Sequence, residues 1–212
     1  MSSSALRTIC STGSSPAPAE GVAVRVVLAE DEAIIRLDLR ETLEEEGYEV
    51  VGETGRGDEA VALVKEHEPD LAILDIKMPG LDGLSAAREI TGERRAAVLI
   101  LTAFSQRDLV ERARDAGALA YLVKPFQRSE LVPAVEVALG RFKEMVALEA
   151  EIRGLEDQLE TRRVVDQAKG ILTDAHGLNE SAAFTFVQRQ AMAARSTMKV
   201  TAQRVIDGQL TP

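Results

Sequence analysis

Chemistry-bearing side chains stand where short apolar runs end. Glu30-Asp31 follow VRVVL, Asp75 follows LAIL, Thr102 follows AVLIL and Lys124 follows AYLV. Carboxylates gathered at one place repel and raise each other's pKa unless a cation joins them. Oxygen donors with room for water and a phosphate oxygen favour Mg2+. Beside such a cation Asp75 is suited to attack phosphorus and form an acyl phosphate. Thr102 offers a hydroxyl donor and Lys124 a point charge for the phosphoryl oxygens. Positioning and electrostatics are most of what phosphoryl transfer asks of a protein. Taken singly, each residue has a bland reading as a solvated loop acid, a strand-end hydroxyl or a surface cation. Their joint occurrence at four strand ends argues for a site.

The elements that must position them alternate. Val24–Leu28, Glu49–Val51, Leu71–Asp75, Ala97–Leu101 and Ala120–Val123 read as strands. Helical patterns separate them: Ile34 to Leu43 closing at Gly47, Asp58–Glu66 stopped by Pro69, Leu84–Ile90, and Leu109–Ala116 closing at Gly117. After Ser129, a good N-cap residue, a long helical pattern begins. Five strands alternating with helices predict an α/β fold with a parallel, doubly wound sheet. In such sheets ligands sit outside the carboxyl ends of the strands, where the strand order reverses.

VLAEDEAIIR, LAILDIKMPGLDG, LILTAF and AGALAYLVKPF together resemble the receiver domain of two-component response regulators, across roughly Val24 to Phe142. That resemblance implies a flavodoxin-like receiver with Asp75 as phospho-acceptor. It implies Mg2+ held by Asp31, Asp75 and the backbone carbonyl of Lys77, with Glu30 assisting through water. Thr102 and Lys124 would contact the phosphoryl group, Tyr121 would be the aromatic that changes rotamer on activation, and Lys124-Pro125 would be a cis peptide. Many relatives carry two aspartates where this chain has Glu30-Asp31, and the longer Glu30 is expected to alter metal affinity. Lys77 and Phe104, bulky and two residues past Asp75 and Thr102, are expected to shield the acyl phosphate from water. The expected partner is a sensor histidine kinase. No catalysis is expected beyond the domain's own phosphoryl transfer and slow autodephosphorylation.

Composition bounds the rest. No apolar run approaches the roughly 20 residues of a membrane span, and the first 20 residues lack the apolar segment of a secretory signal. A cytoplasmic protein with no membrane partner is expected. Residues 1–21, rich in Ser, Ala and Pro, read as a disordered leader. The single Cys10 cannot form an intramolecular disulfide, and the two histidines, His67 and His176, lack cysteine partners for a zinc site. The net charge of −10 divides unevenly, +3 from Thr161 onward and −13 before it. An acidic body with a mildly basic tail suggests two modules, the tail being the one to meet an anion.

With the receiver over 22–142, residues 143–160 form a helical linker. Met145, Leu148, Ile152, Leu155 and Leu159 are spaced 3, 4, 3, 4, an a/d seam of about two heptads. The seam suits either packing on its own chain or a conditional, phosphorylation-dependent homodimer. Beyond it, over 161–212, three short helices are expected: Val164 to Leu172, a second capped by Asn179, and Met198–Ile206 with Gly208 as its stop.

The stretch ETRRVVDQAKGILTDAHGLNESAAF, continuing to Leu210, is similar to the ANTAR domain, the RNA-binding output of bacterial transcription antiterminators. Thr173 stands where relatives often have Met. The resemblance implies a three-helix bundle that grips RNA stem-loops in nascent transcripts. It marks Lys169 and Gly170 as signature residues, with Arg162, Arg163 and Arg189 as phosphate contacts. Phe184 and Phe186 are the only phenylalanine rings there that could stack on a base. Two competing outputs are a DNA-binding helix-turn-helix and a phosphorylation-dependent protein scaffold. The weak positive charge and the lack of a clear recognition helix count against the first.

Overall fold

The computed structural model describes residues 23–103 and 107–212. The expected leader with Cys10, and Phe104 with its shielding role, lie outside the described residues. The chain divides into two compact units, Met1–Gly140 and Arg141–Pro212.

Unit 1 alternates strand and helix: β1 (Arg25–Ala29), α1 (Ala33–Glu45), β2 (Glu49–Thr54), α2 (Gly57–His67), β3 (Leu71–Asp75), α3 (Gly83–Gly92), β4 (Ala97–Thr102), α4 (Arg107–Asp115), β5 (Ala120–Val123) and the start of α5 (Arg128–His176). All strand pairs are parallel, in the order β2-β1-β3-β4-β5. β2 runs three residues past its expected end, because Gly52, Glu53 and Thr54 also pair with β1 beyond an irregularity at Val26/Val27. β1, β3 and β4 are buried on both faces, which is why they read as unbroken apolar runs. Val27, Ala29, Ala72, Leu74, Val98 and Ile100 pack with α2, α3 and α4 on one side. The period of two turns Val26, Leu28, Leu71, Ile73, Leu99 and Leu101 to the other face, all fully buried. Leu39 and Leu43 of α1 and Leu131 and Val135 of α5 are buried too.

The N-terminus of α5 is capped two residues earlier than Ser129 suggested. Gln127 leads into it, and the Glu130 carboxylate accepts the Gln127 N–H at 2.8 Å, the returning half of a capping box. α5 then continues to His176 without a break. The separate helix expected from Val164 is therefore the last part of α5, since nothing between Glu160 and Val165 can stop a helix.

In unit 2 that last part packs with α6 (Glu180–Ala193) and α7 (Met198–Ile206). Val165, Ala168 and Leu172 meet Ala183, Val187, Ala202 and Val205 in a core of small residues. Asn179 Oδ1 caps α6 by accepting Ala182 N–H at 2.8 Å, and Thr197 Oγ1 caps α7 by accepting Val200 N–H at 3.2 Å. Gly177 (φ +65°) lets the chain leave α5 in the left-handed conformation that residues with a Cβ resist. Among the described residues no helix is long and apolar enough to cross a membrane.

Candidate functional site

The parallel registers align Ala29 with Leu74, Asp75 with Leu101 and Thr102 with Val123. The strand ends therefore share one edge of the sheet, and Glu30 and Lys124, each one residue past its strand, arrive beside Asp75. Lys124 Nζ lies 2.5 Å from Glu30 Oε2 and 3.1 Å from Asp75 Oδ1. One carboxylate oxygen from each of Glu30, Asp31 and Asp75 lies within 4.8 Å of the others. Four of the residues singled out by type and spacing thus converge, and buried Thr102 lines the same cavity.

That cavity is about 320 Å³, lined by Asp31, Asp75, Lys77, Thr102 and Lys124 together with Arg112 and Leu109 of α4. Glu30 is not among its lining residues. Fully buried, it turns one oxygen to the Glu32 N–H at 3.3 Å and the other to Lys124, a close ion pair without a well-aligned hydrogen bond at Oε2. Arg112 has no forecast in the sequence, because a charged residue on a helix surface looks like any solvated one.

Burial pushes the Asp75 carboxyl above its ordinary range, outweighing the pull of Lys124. Burial raises Glu30 in the same way, with Asp75 adding repulsion. Burial also works against the Lys124 charge, but Glu30 and Asp75 together hold its ammonium above the usual value. One ammonium thus faces three carboxylates, leaving negative charge that a hard cation would offset. The donor set is all oxygen and Asp31 is exposed to water, so the residues present fit Mg2+.

The backbone around Asp75 is tightly held. Asp82 Oδ1 caps α3 by accepting the Leu84 and Ser85 N–H groups at 3.1 and 3.0 Å. The next residue, Gly83, donates its N–H to the Ile76 carbonyl at 2.9 Å. A Cβ on Gly83 would lie 1.9 Å from the Asp75 carbonyl oxygen, so only glycine allows the loop after β3 to close this way. Lys124-Pro125 is cis, as expected. Tyr121, in β5, is exposed.

The tail residues singled out for RNA are less of a set. Lys169 is half-buried and bonded to Asp166 and Glu180 at 2.7 and 2.9 Å. Arg162 stands out in solvent near it, with Asp166 only at 3.9 Å. Arg189 lines a separate hollow with Thr185 and Phe186, and Arg163 is exposed on α5. Gly170 is exposed on α5, with no atom within 4 Å of where a Cβ would be.

Comparison with known proteins gives two family matches, a response regulator receiver domain over 26–136 and an ANTAR domain over 153–206. The chain is 58% identical over 188 residues to the transcriptional regulatory protein PdtaR of Mycobacterium tuberculosis, covering 89% of this chain and 92% of that one. It is 37% identical to the chemotaxis protein CheY of Bacillus subtilis, over 56% of this chain and all of that one. Among solved structures, the signal receiver domain of NarL from Mycobacterium tuberculosis is similar at TM-score 0.54 and 34% identity, covering 56% of this chain and 97% of that one. A CheX–CheY–BeF3–Mg2+ complex from Borrelia burgdorferi is similar at TM-score 0.52 and 27% identity, covering 54% and 88%. With both domains matched and a relative aligned over nearly its whole length, the chain belongs to the response regulators that join a receiver domain to an ANTAR domain.

Proposed function

We propose that this response regulator is phosphorylated on Asp75 by a sensor histidine kinase in the cytoplasm and then acts as a transcription antiterminator on RNA stem-loops. The observation that carries the reading is Lys124 Nζ at 3.1 Å from a buried Asp75 whose neighbours are two more carboxylates. Asp75 Oδ would attack the phosphorus of a phosphohistidine. The O–P bond forms as the P–N bond breaks, and the imidazole leaves with the electron pair. Lys124 and Thr102 then hold phosphoryl oxygens, Lys124 by charge and Thr102 by a hydroxyl hydrogen bond. Asp31, Asp75 and the Lys77 carbonyl would hold Mg2+, with Glu30 behind them. The cation, when bound, supplies charge neutralisation between carboxylate and phosphoryl group. Lys77, at the cavity, shields the acyl phosphate. Tyr121, exposed at β5, is the group whose change of rotamer would report phosphorylation. A phosphorylated pair of chains, joined through the seam of α5, would present two ANTAR bundles to paired hairpins.

The test is RNA capture by the full chain with and without a phosphodonor, comparing wild type with Asp75→Asn and stem-loop RNA with duplex DNA. Phosphate on wild type but not on Asp75→Asn, with donor-dependent RNA capture by wild type alone, is expected. Equal capture by both proteins would overturn the switch, and preference for duplex DNA would overturn the RNA output.

A further inference from the structure

Unit 2 carries a concavity of about 910 Å³ between the last part of α5, α6 and the start of α7. Its apolar lining is Val165, Ala191, Met192, Met198 and the ring of Phe184. Phe186, the other phenylalanine of this region, packs against the core, whereas Phe184 remains 44% exposed. The rim is polar: the amides Gln158 and Gln188, the cations Arg162 and Arg195, and two carboxylates, Asp157 and Asp166, each already paired with a lysine, Lys199 at 2.9 Å and Lys169 at 2.7 Å. Lys169 also reaches this rim, but Asp166 and Glu180 already hold its charge.

The occupant follows from this chemistry. An exposed ring, side-chain amides and guanidinium groups match the three parts of a nucleotide: base face, base edge and phosphate. A partner helix would need an apolar stripe, and α5 does not supply one here. The 3, 4 spacing of Leu148, Ile152, Leu155 and Leu159 continues to Arg162, Asp166 and Lys169. That face changes from apolar to charged where the concavity begins, so the hollow does not extend the seam.

We infer that this concavity is a subsite for one unpaired base of an RNA loop. The base stacks on Phe184, its edge meets Gln158 and Gln188, and its flanking phosphates meet Arg162 and Arg195. The inference rests on the RNA reading above and names the part of the RNA that is recognised.

The test uses the full chain, treated with a phosphodonor, and a pool of hairpins with one fixed stem and randomised loops. Hairpins retained by wild type are remade with each loop base removed in turn. Base–aromatic stacking is worth about 1–3 kcal/mol, so removing the stacked base should weaken binding by roughly 5- to 150-fold. Phe184→Leu should cause a similar loss with the intact hairpin and little further loss with the abasic one, while Phe184→Tyr should bind like wild type. A 2-aminopurine at that loop position should be quenched by wild type, a readout that needs no variant.

Wild type retaining no hairpin overturns both the RNA reading and this one. Tight binding by Phe184→Leu, or an equal loss with a fully paired duplex, overturns the base subsite alone. Loss of self-association instead of RNA affinity in Phe184→Leu, measured by sedimentation of the same samples, also overturns it and assigns the concavity to a second copy.

Discussion

Lys124 is the residue whose partners define the site. Its ammonium is shared between Glu30 and Asp75, and Glu30 has no exposure to water at all. Removing the cation from a buried pair leaves an uncompensated charge, which costs about 3–5 kcal/mol. Lys124→Ala should destabilise the protein by about that much, and adding Glu30→Gln should recover most of it; urea unfolding of the two variants checks this. The acids also set a pH dependence. Asp75 and Glu30 are both raised by burial, so each costs stability once ionised. That cost is absent below the ordinary carboxylate value of about 4 and complete above the raised values. Metal-free protein should therefore lose stability as pH rises through that window, and Mg2+ should restore it. Thermal melts over a pH series, with EDTA or with Mg2+, make the comparison.

At the scale of the element, α3 and its lead-in loop hold Asp75 in place. Asp82 is an N-cap whose carboxyl lies below its ordinary range: burial opposes the shift, but Ser85 and the N–H groups of Ser85 and Leu84 outweigh it. Asp82→Ala should cost about 1 kcal/mol. A lowered carboxyl contributes stability above about 4 that is lost as pH falls through its folded value, so wild type and variant should converge in acid. Gly83→Ala is a different case, because the new methyl group meets the Asp75 carbonyl. The overpacking should cost about 1–3 kcal/mol and lower the phosphorylation rate, measured on phosphate-affinity gels. On α5, Gly170 faces open space, so Gly170→Ala should stabilise the helix by about 0.8–1 kcal/mol. If RNA passes close to that backbone, the same substitution should weaken hairpin binding.

At the scale of the whole molecule, one helix of 49 residues belongs to both units. Its middle leaves Leu148, Ile152, Leu155 and Leu159 exposed, an apolar stripe that isolated chains rarely leave open. The stripe covers about two heptads, fewer than the three or four of a stable coiled coil, so any association should be weak and conditional. Phosphodonor-treated wild type is expected to sediment as a heavier species than untreated protein. Ile152→Lys with Leu159→Lys should abolish the shift without changing phosphorylation of Asp75. A heavier species that survives both substitutions would remove the seam from the account.

Most of the fold was legible because its signals are local. A buried parallel strand must be apolar throughout, so LAIL and AVLIL declare themselves, and Gly47 and Gly117 end helices where left-handed backbone is needed. Asp75, Thr102 and Lys124 were legible for the same reason: strand ends share one edge of a parallel sheet, so position in sequence becomes position in space. Three matters were settled only by tertiary structure. α5 continues through the stretch where a separate helix was expected, because propensity allows either outcome and packing of Val165, Ala168 and Leu172 decides. Glu30 faces Lys124 rather than the cavity, a choice set by side-chain length and burial. The basic residues of the tail fall into separate places, with Lys169 held by acids and Arg189 in another hollow. Their charge was plain in the sequence, but which charges are already neutralised depends on neighbours that only the folded chain brings together.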